Sequence, residues 1–287
     1  MLIPAVQSTQ PVITRYRVPL HTLPSGLVGF TILQISDLHS QRFRLAAERG
    51  RGSESHRTDA GLTPLINGLE FDLVALTGDL INGSSSRYYD APAHEIVDAV
   101  EDRAPVYYVT GNHEWSAPYG EMLLERLHDR GVRVLRNQAE LLHRDGATLA
   151  VVGMDDITYF DRDPAAFNDA LTRALLPAHG ADFTLLLSHR PELFATYRRH
   201  GIDLALSGHA HGGQVRLPCV GGLFAPGQGP LPPYDAGVFH AGRTTMIVSR
   251  GLGRTAFPWR INNPPEIVLV ELTRELERDE GGHADAV

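Results

Sequence analysis

The sequence predicts an α/β fold with helices on both faces of a covered sheet and with a second sheet. Short apolar runs alternate with helix-like segments along most of the 287 residues, which is the pattern of layered α/β proteins. Several runs are apolar on both faces, as is typical of strands inside a covered sheet. From residue 203 onward the runs follow one another with few helices between them, which favours the second sheet.

The individual elements follow from these runs and from local start and stop signals. Strands are predicted at 30–35, 72–77, 105–109, 132–135, 148–153, 183–187, 203–206, 244–249 and 266–272. Helices are predicted at 61–69, 91–101, 119–130, 164–176 and 191–199. Asp163 and Pro164 supply an N-cap and a first-turn proline, and Gly131 stands where a C-cap is expected. The stretch 221–237, rich in glycine and proline, is predicted to be a loop.

One domain spanning residues 1–287 is predicted, because neither a repeat nor an interdomain linker is visible. Its core covers about 28–273, residues 1–27 form an N-terminal strand or extension, and residues 276–287 form a frayed tail. Apolar residues are 43% and charged residues 21%, as in an ordinary globular chain.

The charged residues and the cysteine content exclude several classes of protein. All 26 basic residues are arginine, and the absence of lysine excludes P-loop NTPases and pyridoxal Schiff-base enzymes. The formal charge of −8 disfavours binding to long nucleic acids, which depends on neutralising phosphates. The single cysteine, Cys219, excludes an internal disulfide and a cysteine-rich zinc site.

A cytoplasmic location is predicted. The first 20 residues lack the basic and apolar regions of a signal peptide, and no run approaches 18 apolar residues. Peripheral contact with a membrane surface stays open, and the sequence does not indicate an oligomeric state.

Five polar patches lie directly after predicted strands. In open α/β sheets, ligands bind beyond the carboxyl ends of the strands, so these patches are expected to meet at one edge. The patches are Ser36–His39, Thr77–Asn82, Thr110–Glu114, Ser188–His189 and Ser207–Gly213.

The residue types in these patches indicate a metal site. Asp37 and His39 are two residues apart in a segment expected to be extended, so both side chains should point to one side, and His209 and His211 repeat this spacing. Mixed oxygen and imidazole ligands suit Mn, Fe, Zn or Co, whereas Ca prefers oxygen alone. Seven candidate ligands are more than one tetrahedral zinc ion can bind, and this number fits two ions bridged by one carboxylate. The candidates are Asp37, His39, Asp79, Asn112, His189, His209 and His211.

Each patch alone also fits an ordinary structural role, such as a helix cap, a turn or a buried histidine. Their order, residue types and positions agree across five segments, however, which favours a functional site. The motifs DLH, GDLIN, GNHE, SH and GHAHGG resemble the five signature blocks of the calcineurin-like metallophosphoesterases, from Thr31 to Leu272. The resemblance implies a four-layer α/β/β/α sandwich of two mixed sheets flanked by helices, with a dinuclear metal site at the strand ends.

The same resemblance assigns roles to the candidate residues. It implies two divalent ions, Mn, Fe or Zn, of which manganese is favoured, and a bridging hydroxide that attacks phosphorus in line. Asn112 and the metals stabilise the equatorial oxygens, and His113 protonates or stabilises the leaving oxygen. The implied ligands are Asp37, His39, Asp79 and His211 for one ion, and Asp79, Asn112, His189 and His209 for the other.

The C-terminal motifs narrow the resemblance to a bacterial branch. GHAHGGQVRLP, Tyr234–Gly237, VSRGLG and an Arg-x-Asn-x-Pro-x-Glu-Ile segment are similar to bacterial phosphodiesterases likened to UDP-2,3-diacylglucosamine pyrophosphatases. A small phosphodiester or lipid-linked phosphate substrate is therefore expected. A phosphomonoesterase, a cyclic-nucleotide or nuclease-type phosphodiesterase and a non-catalytic binding scaffold with the same fold remain alternatives.

One position departs from the pattern of the family. Many members have an aspartate three residues after the bridging one, where it orients the catalytic histidine, and this chain has Asn82. The His113 ring is therefore expected to be oriented by a weaker pair with Asn82, by Glu114 or by water. Asn82 also disfavours the ferric site of purple acid phosphatases, which requires a tyrosine there.

Three further groups carry weaker hypotheses. The arginines after DLH form either a phosphate clamp or, as we favour, a solvated loop shared with Glu48 and Glu54. Arg250 and Arg254 stand beside two glycines, and a contact of these arginines with substrate is a further hypothesis. The loops near the C-terminal end of the chain carry large apolar residues. These residues are expected either to contact a lipid or a base of the substrate or to pack in the core or in a lid. The residues are Arg42, Arg44, Arg49, Arg51 and Arg57 in the first group, and Phe224, Leu231, Phe257 and Trp259 in the last.

Overall fold

A computed structural model describes residues 10–20, 22–43, 61–83, 89–254, 257 and 259–274. The helices are α1 Thr63–Asn67, α2 Ala91–Val100, α3 Asn112–Ser116, α4 Gly120–Asp129, α5 Pro164–Ala174 and α6 Phe194–Arg199. The first nine strands are β1 Val12–Leu20, β2 Thr31–Ile35, β3 Leu73–Leu76, β4 Val106–Tyr108, β5 Arg133–Val134, β6 Gln138–Arg144, β7 Ala147–Gly153, β8 Phe183–Leu187 and β9 Leu204–Ser207. Four short strands follow, β10 Arg216–Leu217, β11 Gly221–Gly222, β12 Phe224–Ala225 and β13 Gly229–Pro230, and then β14 Gly237–Ala241, β15 Thr244–Val248 and β16 Glu266–Arg274.

Strands β1 to β9 and β14 to β16 form two mixed sheets of six strands each. The first sheet has the order β1-β16-β2-β3-β4-β5, and the second has the order β14-β15-β9-β8-β7-β6. Strands β2 to β5 run parallel, as do β7, β8, β9 and β15, whereas β16 is antiparallel to β2, and β6 and β14 are antiparallel edge strands. The carboxyl ends of the parallel strands therefore lie together at one edge of each sheet.

Burial shows that the two sheets face each other. Along β3, Leu73 packs in a cluster with side chains of the second sheet, such as Leu185, whereas the neighbouring Val74 packs against the helices of its own side. This alternation is the period of two of a strand buried on both faces. Helices α1, α2 and α4 cover the first sheet, and α5 and α6 cover the second. The predicted four-layer α/β/β/α sandwich is confirmed.

Most predicted elements are present, with four main differences. Residues 191–199 form a short 3-10 turn, Pro191–Leu193, before α6 begins. The stretch 221–237 contains short paired strands within its loops. The second sheet begins earlier than residue 203, at β6, and the last strand, β16, lies in the first sheet because it pairs with both β1 and β2. The predicted tail at 276–287 lies outside the described residues.

Local signals explain where two of the helices begin and end. The Asp163 carboxylate accepts a hydrogen bond from the Ala165 backbone N–H at 2.8 Å, which confirms the predicted N-cap of α5. Gly131 follows α4 with a φ of 80°, a left-handed conformation that glycine adopts without steric cost. The Glu266 and Arg250 side chains pair at the start of β16. The Glu266 carboxylate accepts a hydrogen bond from the Thr14 hydroxyl of β1, and Arg250 donates one to the same hydroxyl. These contacts tie the N-terminal strand into the sheet.

Candidate metal centre

The candidate ligands lie on loops that follow five parallel strands. Loops after β2, β3 and β4 present them from the first sheet, and loops after β8 and β9 present them from the second. The two sheets pack face to face, so the loops converge where their carboxyl edges meet. The residues on these loops, in chain order, are Asp37 and His39, Asp79, Asn112, His189, and His209 and His211.

Six of the seven candidate ligands form two clusters that share one carboxylate. In each cluster, the potential ligand atoms all lie within 4.8 Å of one another, and all six residues are buried. Asp79 is the only residue common to both, as expected for a carboxylate that bridges two ions. The clusters are Asp37, His39, Asp79 and His211, and Asp79, His189 and His209.

Asn112, the seventh candidate, is the first residue of α3. Its side-chain Oδ1 is buried and has no hydrogen-bond partner among the described residues. The next backbone N–H, that of His113, donates to Asp79 Oδ1 at 2.8 Å, so Asn112 stands beside the shared carboxylate. Since a buried amide oxygen without a partner is costly, Asn112 fits a position where an ion completes its coordination.

The backbone of the ligand loops differs from the prediction. Asp37, His39, His209 and His211 have φ values of 52°, 49°, 64° and 48°, so these segments are not extended. Asp79 also has a positive φ, 54°. The side chains converge because the loops turn in the left-handed region directly after the strands, which costs on the order of 1–3 kcal/mol per residue. Such strain clusters at functional sites when the surrounding packing holds it in place.

Contacts behind the ligands orient the imidazoles. His189 Nδ1 lies 2.7 Å from the Thr77 carbonyl, so Nδ1 donates and Nε2 is left to face Asp79 Oδ2 at 3.2 Å. A backbone carbonyl that receives one ring N–H is the common support of a metal-binding histidine. The His209 backbone N–H donates to both carboxylate oxygens of Asp37, at 3.1 and 3.2 Å, and so links the two sheets.

The electrostatic environment keeps most ligands in forms that bind cations. Burial lowers the pKa of His39 to about 3 and lowers the pKa values of His209 and His211 well below the ordinary value. Burial opposes ionisation of Asp79, but the rings of His189 and His39 hold the pKa of Asp79 well below its usual range. Neutral imidazole and ionised carboxylate are the forms that coordinate metals.

Two ligands have pKa shifts in the opposite direction. Burial raises the pKa of Asp37 to about 6. Burial disfavours the charged form of His189, yet the Asp79 carboxylate raises the pKa of His189 to about 10. A divalent cation between these groups would displace the proton of His189 and offset the buried charges of both aspartates.

Arg190 supports the site although the sequence analysis did not single it out. Its guanidinium donates to both carboxylate oxygens of Asp156, at 2.6 and 3.0 Å, and its third nitrogen lies 2.8 Å from His209 Nε2. After burial, the charge of Arg190 is the next cause of the lowered pKa of His209. Its position directly after Ser188-His189 was the available signal, but its partner Asp156 is 34 residues distant in sequence.

Glu114 holds two of the ligand loops together. Its buried carboxylate accepts the backbone N–H groups of Gly111 at 2.7 Å, Asp79 at 2.9 Å and Ile81 at 3.2 Å. Burial, followed by the charge of Asp79, raises the pKa of Glu114 to about 7. The expectation that Glu114 pairs with the His113 ring is wrong, because its oxygens bind the backbone of the loops after β3 and β4.

Replacing Glu114 with glutamine should destabilise the protein by about 2–3 kcal/mol, because the amide NH₂ must then face at least one backbone N–H donor. The thermal midpoint should fall by roughly 4–10 °C. Thermal denaturation of the metal-loaded protein measures the change, with Glu125→Gln on the exposed face of α4 as the control. A Glu114→Gln midpoint equal to that of the control would show that the carboxylate does not hold the loops.

His113 lies at the edge of the clusters rather than within them. Its Nε2 is 4.0 Å from Asp79 Oδ2, and its side chain is 25% exposed, whereas the clustered ligands are almost fully buried. Its Nδ1 accepts the Gly83 backbone N–H at 2.9 Å, so the neutral ring carries its proton on Nε2. A backbone donor next to Asn82 thus orients the ring, which the sequence pattern could not reveal.

Two of the arginines considered for substrate contact, Arg42 and Arg250, pair with glutamates. Arg42 pairs with Glu95 at 3.1 Å and its side chain is 60% exposed, which agrees with the solvated loop. Arg44, Arg49, Arg51 and Arg57 lie outside the described residues. The expectation for Arg250 is wrong, because its guanidinium binds the buried Glu266.

The VSRGLG segment supports the metal loop through its backbone. A Cβ at Gly251 would lie 2.6 Å from the Asp37 Cβ, and a Cβ at Gly253 would lie 2.3 Å from the Leu38 carbonyl oxygen. Because both distances are shorter than any real contact, the two glycines allow this segment to pack directly on the loop that carries Asp37 and His39.

Arg260 and Asn263 belong to the Arg-x-Asn-x-Pro-x-Glu-Ile motif region and lie beneath His211. Arg260 is buried, donates to the Gly253 carbonyl at 3.0 Å through Nε, and places another nitrogen 3.4 Å from His211 Nδ1. Asn263 donates to the carbonyls of His211 and Gln214 at 2.8 and 3.0 Å. The motif was visible in the sequence, but its contact with the metal loop was not.

Two clusters of buried carboxylates and imidazoles that share one aspartate, at the meeting edges of two sheets, define an α/β metallohydrolase with a dinuclear centre. The chain belongs to the calcineurin-like phosphoesterase family, because the model of that family matches residues 30–213. This family binds divalent metals at a dinuclear site, and the chain is a hydrolase of phosphoester bonds. The predicted family is confirmed.

Relatives agree with this assignment. The uncharacterized metallophosphoesterase YkuE of Bacillus subtilis is 31% identical over 90% of this chain and 84% of its own length. The phosphodiesterase YaeI of Escherichia coli is 30% identical over 85% of this chain and 82% of its own. Both are bacterial, which agrees with the predicted branch. A solved 5'-nucleotidase precursor from Thermus thermophilus shares the fold with a TM-score of 0.52 at 16% identity, over 78% of this chain and 49% of the other.

Within the described part of the chain, none of the helices combines the length and apolar character needed to cross a bilayer.

Proposed function

We propose that this protein is a phosphodiesterase that uses two divalent ions, Mn, Fe or Zn, with manganese favoured. The observation that carries the proposal is the shared position of Asp79 in both ligand clusters. Mixed carboxylate, amide and imidazole donors suit these borderline metals. One ion would be held by Asp37, His39, Asp79 and His211, and the other by Asp79, Asn112, His189 and His209.

When bound, the two ions supply Lewis-acid stabilisation of a phosphoryl oxygen and a nucleophilic water at neutral pH. The residues of the chain do the rest. Asp79 holds both halves of the site in register, and the Asn112 amide is placed to orient an equatorial phosphoryl oxygen as well as to ligate. The loops that carry these groups are held by Glu114, so little reorganisation is needed during the reaction.

His113 is the general acid in this proposal. Its Nδ1 accepts the Gly83 N–H, so its proton lies on Nε2, the nitrogen on the Asp79 side. A partly exposed ring at the edge of the clusters can reach the departing oxygen of a bound ester. Protonation of an alkoxide leaving group by such a side chain contributes typically 10²–10⁴-fold in rate.

The preference for diesters is supported by the likeness to YaeI, which is named a phosphodiesterase, over most of both chains. The phosphomonoesterase and the cyclic-nucleotide or nuclease-type alternatives use the same ligand set. The binding scaffold is disfavoured because all seven ligand positions hold competent residue types.

Metal removal tests the proposal. We expect the purified protein to bind two ions per chain, and chelation to abolish hydrolysis of bis(p-nitrophenyl) phosphate and to lower the thermal midpoint, since ions that bind only the folded state stabilise it. Added Mn²⁺ should restore both. Hydrolysis of p-nitrophenyl phosphate faster than that of the diester would favour the monoesterase, and absence of stoichiometric metal and of turnover with any metal would favour the scaffold.

A further inference from the structure

A separate apolar cavity opens next to the metal centre. It has a volume of about 450 Å³ and is lined by Gly213, Gln214, Val215, Leu223, Phe224, Pro226 and Phe257. Among the described residues that line it, Gln214 alone has a polar side chain and none is charged. Cavities of this size and composition bind apolar groups of small ligands.

The floor of the cavity is continuous with a metal ligand. Gly213 ends the GHAHGG motif two residues after His211, and Gln214 follows it, so the Gly213 Cα lies within about 7 Å of the His211 Cα. The turn is tight, because the Gln214 N–H donates to the His211 carbonyl at 3.1 Å. The lining of the cavity therefore begins two residues after a candidate metal ligand.

Phe257, on another segment that lines the cavity, is also linked to His211. Phe257 lies three residues before Arg260, whose guanidinium is 3.4 Å from His211 Nδ1. The next residue, Ile261, forms a backbone bridge with Val215 on the cavity floor. Both segments thus converge on His211 although they are about 40 residues apart in sequence.

Large apolar side chains remain exposed around this cavity. Phe224 is 53% exposed and Phe257 41%, and Phe257 packs edge-on against Trp259, which is 55% exposed. Burying such side chains against an apolar ligand is favourable in proportion to the area removed from water. Clustered exposed apolar residues beside a site are typical of ligand-binding surfaces.

We propose that this cavity binds an apolar substituent of the phosphodiester, an alkyl or acyl chain, while phosphorus lies at the metal centre. The inference rests on the proposed phosphodiesterase function and names its substrate class. A nucleobase is disfavoured, because its polar edges need several hydrogen-bond partners, and a cavity with one polar side chain would leave most of them unpaired.

The first test compares p-nitrophenyl methyl phosphate with p-nitrophenyl octyl phosphate, below the concentration at which the octyl ester aggregates. The leaving group is the same, so only the second substituent changes. Each buried methylene is worth about fourfold, so three buried methylenes raise kcat/KM about 60-fold for the octyl ester. The double variant Phe224→Ala with Phe257→Ala should remove most of this gain, so that it hydrolyses the octyl and methyl esters with similar kcat/KM. Leu176→Ala, at an exposed leucine on another surface, is the control.

A binding measurement gives a second readout that does not depend on turnover. Trp259 packs edge-on against Phe257, so its fluorescence should report a chain entering the cavity. In the Trp115→Phe background, we expect octylphosphonate to change this fluorescence at concentrations at least 10-fold lower than methylphosphonate does. The double variant should lose the difference.

The outcomes separate this proposal from the function on which it rests. Equal kcat/KM for the methyl and octyl esters, with both hydrolysed, would overturn the apolar site and leave the phosphodiesterase intact. Hydrolysis of neither ester by the metal-loaded protein would overturn the phosphodiesterase, and the fluorescence titration would still test the cavity. If the double variant loses sedimentation with phosphatidylcholine vesicles but keeps the octyl preference, the apolar residues contact a membrane surface and the proposal is wrong.

Discussion

Replacement of Asp79 with asparagine is expected to abolish binding of both ions and to lower diester turnover by at least about 10³-fold. Asp79 is the only residue in both ligand clusters. Its Oδ2 lies 3.2 Å from His189 Nε2 in one cluster and 3.7 Å from His39 Nε2 in the other. Asparagine has nearly the same shape but no charge and only one ligating oxygen, so it cannot bridge two cations.

Metal content by mass spectrometry and turnover of bis(p-nitrophenyl) phosphate measure this effect. Asp129→Asn, an exposed aspartate at the end of α4, is the matched control and should keep both ions and full activity. Thermal denaturation in chelator shows whether the Asp79→Asn chain still folds, because without metal the two proteins should unfold cooperatively at comparable temperatures. Two bound ions and unchanged turnover in Asp79→Asn would refute the bridging role.

Replacement of His113 with alanine is expected to retain both ions and to lose 10²–10⁴-fold in turnover of diesters with alkyl leaving groups. The ring lies outside both clusters, and its Nε2 is 4.0 Å from Asp79 Oδ2. An alkoxide needs a proton as it departs, whereas p-nitrophenolate is stable without one. The loss should therefore be much smaller for p-nitrophenyl esters.

A series of aryl and alkyl leaving groups tests this difference. The wild-type rate should depend weakly on the pKa of the leaving group, and the His113→Ala rate should fall steeply as that pKa rises. His128→Ala, at an exposed histidine of α4, controls for the loss of an imidazole. An unchanged dependence on leaving-group pKa in His113→Ala would show that His113 is not the acid, and loss of metal would show that it acts as a ligand.

The sequence predicted the layers of the fold because each layer has a local signature. Strands such as β3 and β8 are short apolar runs, and α5 carries its own cap at Asp163. The position of β16 could not be predicted in this way. Its apolar pattern suits either sheet, and only its pairing with β1 and β2, more than 230 residues away, assigns it to the first.

The candidate ligands were predictable for a similar reason. Asp, Asn and His directly after buried strands stand out residue by residue, and the carboxyl edge of parallel strands brings them together. The predicted cause of their convergence was wrong in detail, because Asp37 and His39 lie in left-handed backbone instead of an extended segment. Gly251 and Gly253, more than 200 residues later in the chain, pack directly against that loop, and no local pattern shows this contact.

Residue type and spacing along the chain were sufficient to predict the two-sheet α/β class, the candidate ligand residues and the family. The groups that support the candidate site are visible only in the folded chain: Arg190 beside His209, Glu114 across two loops, and the Gly83 N–H on His113. It also placed an apolar cavity beside His211. These features join segments distant in sequence, and such contacts leave no local pattern because each residue alone is compatible with many partners.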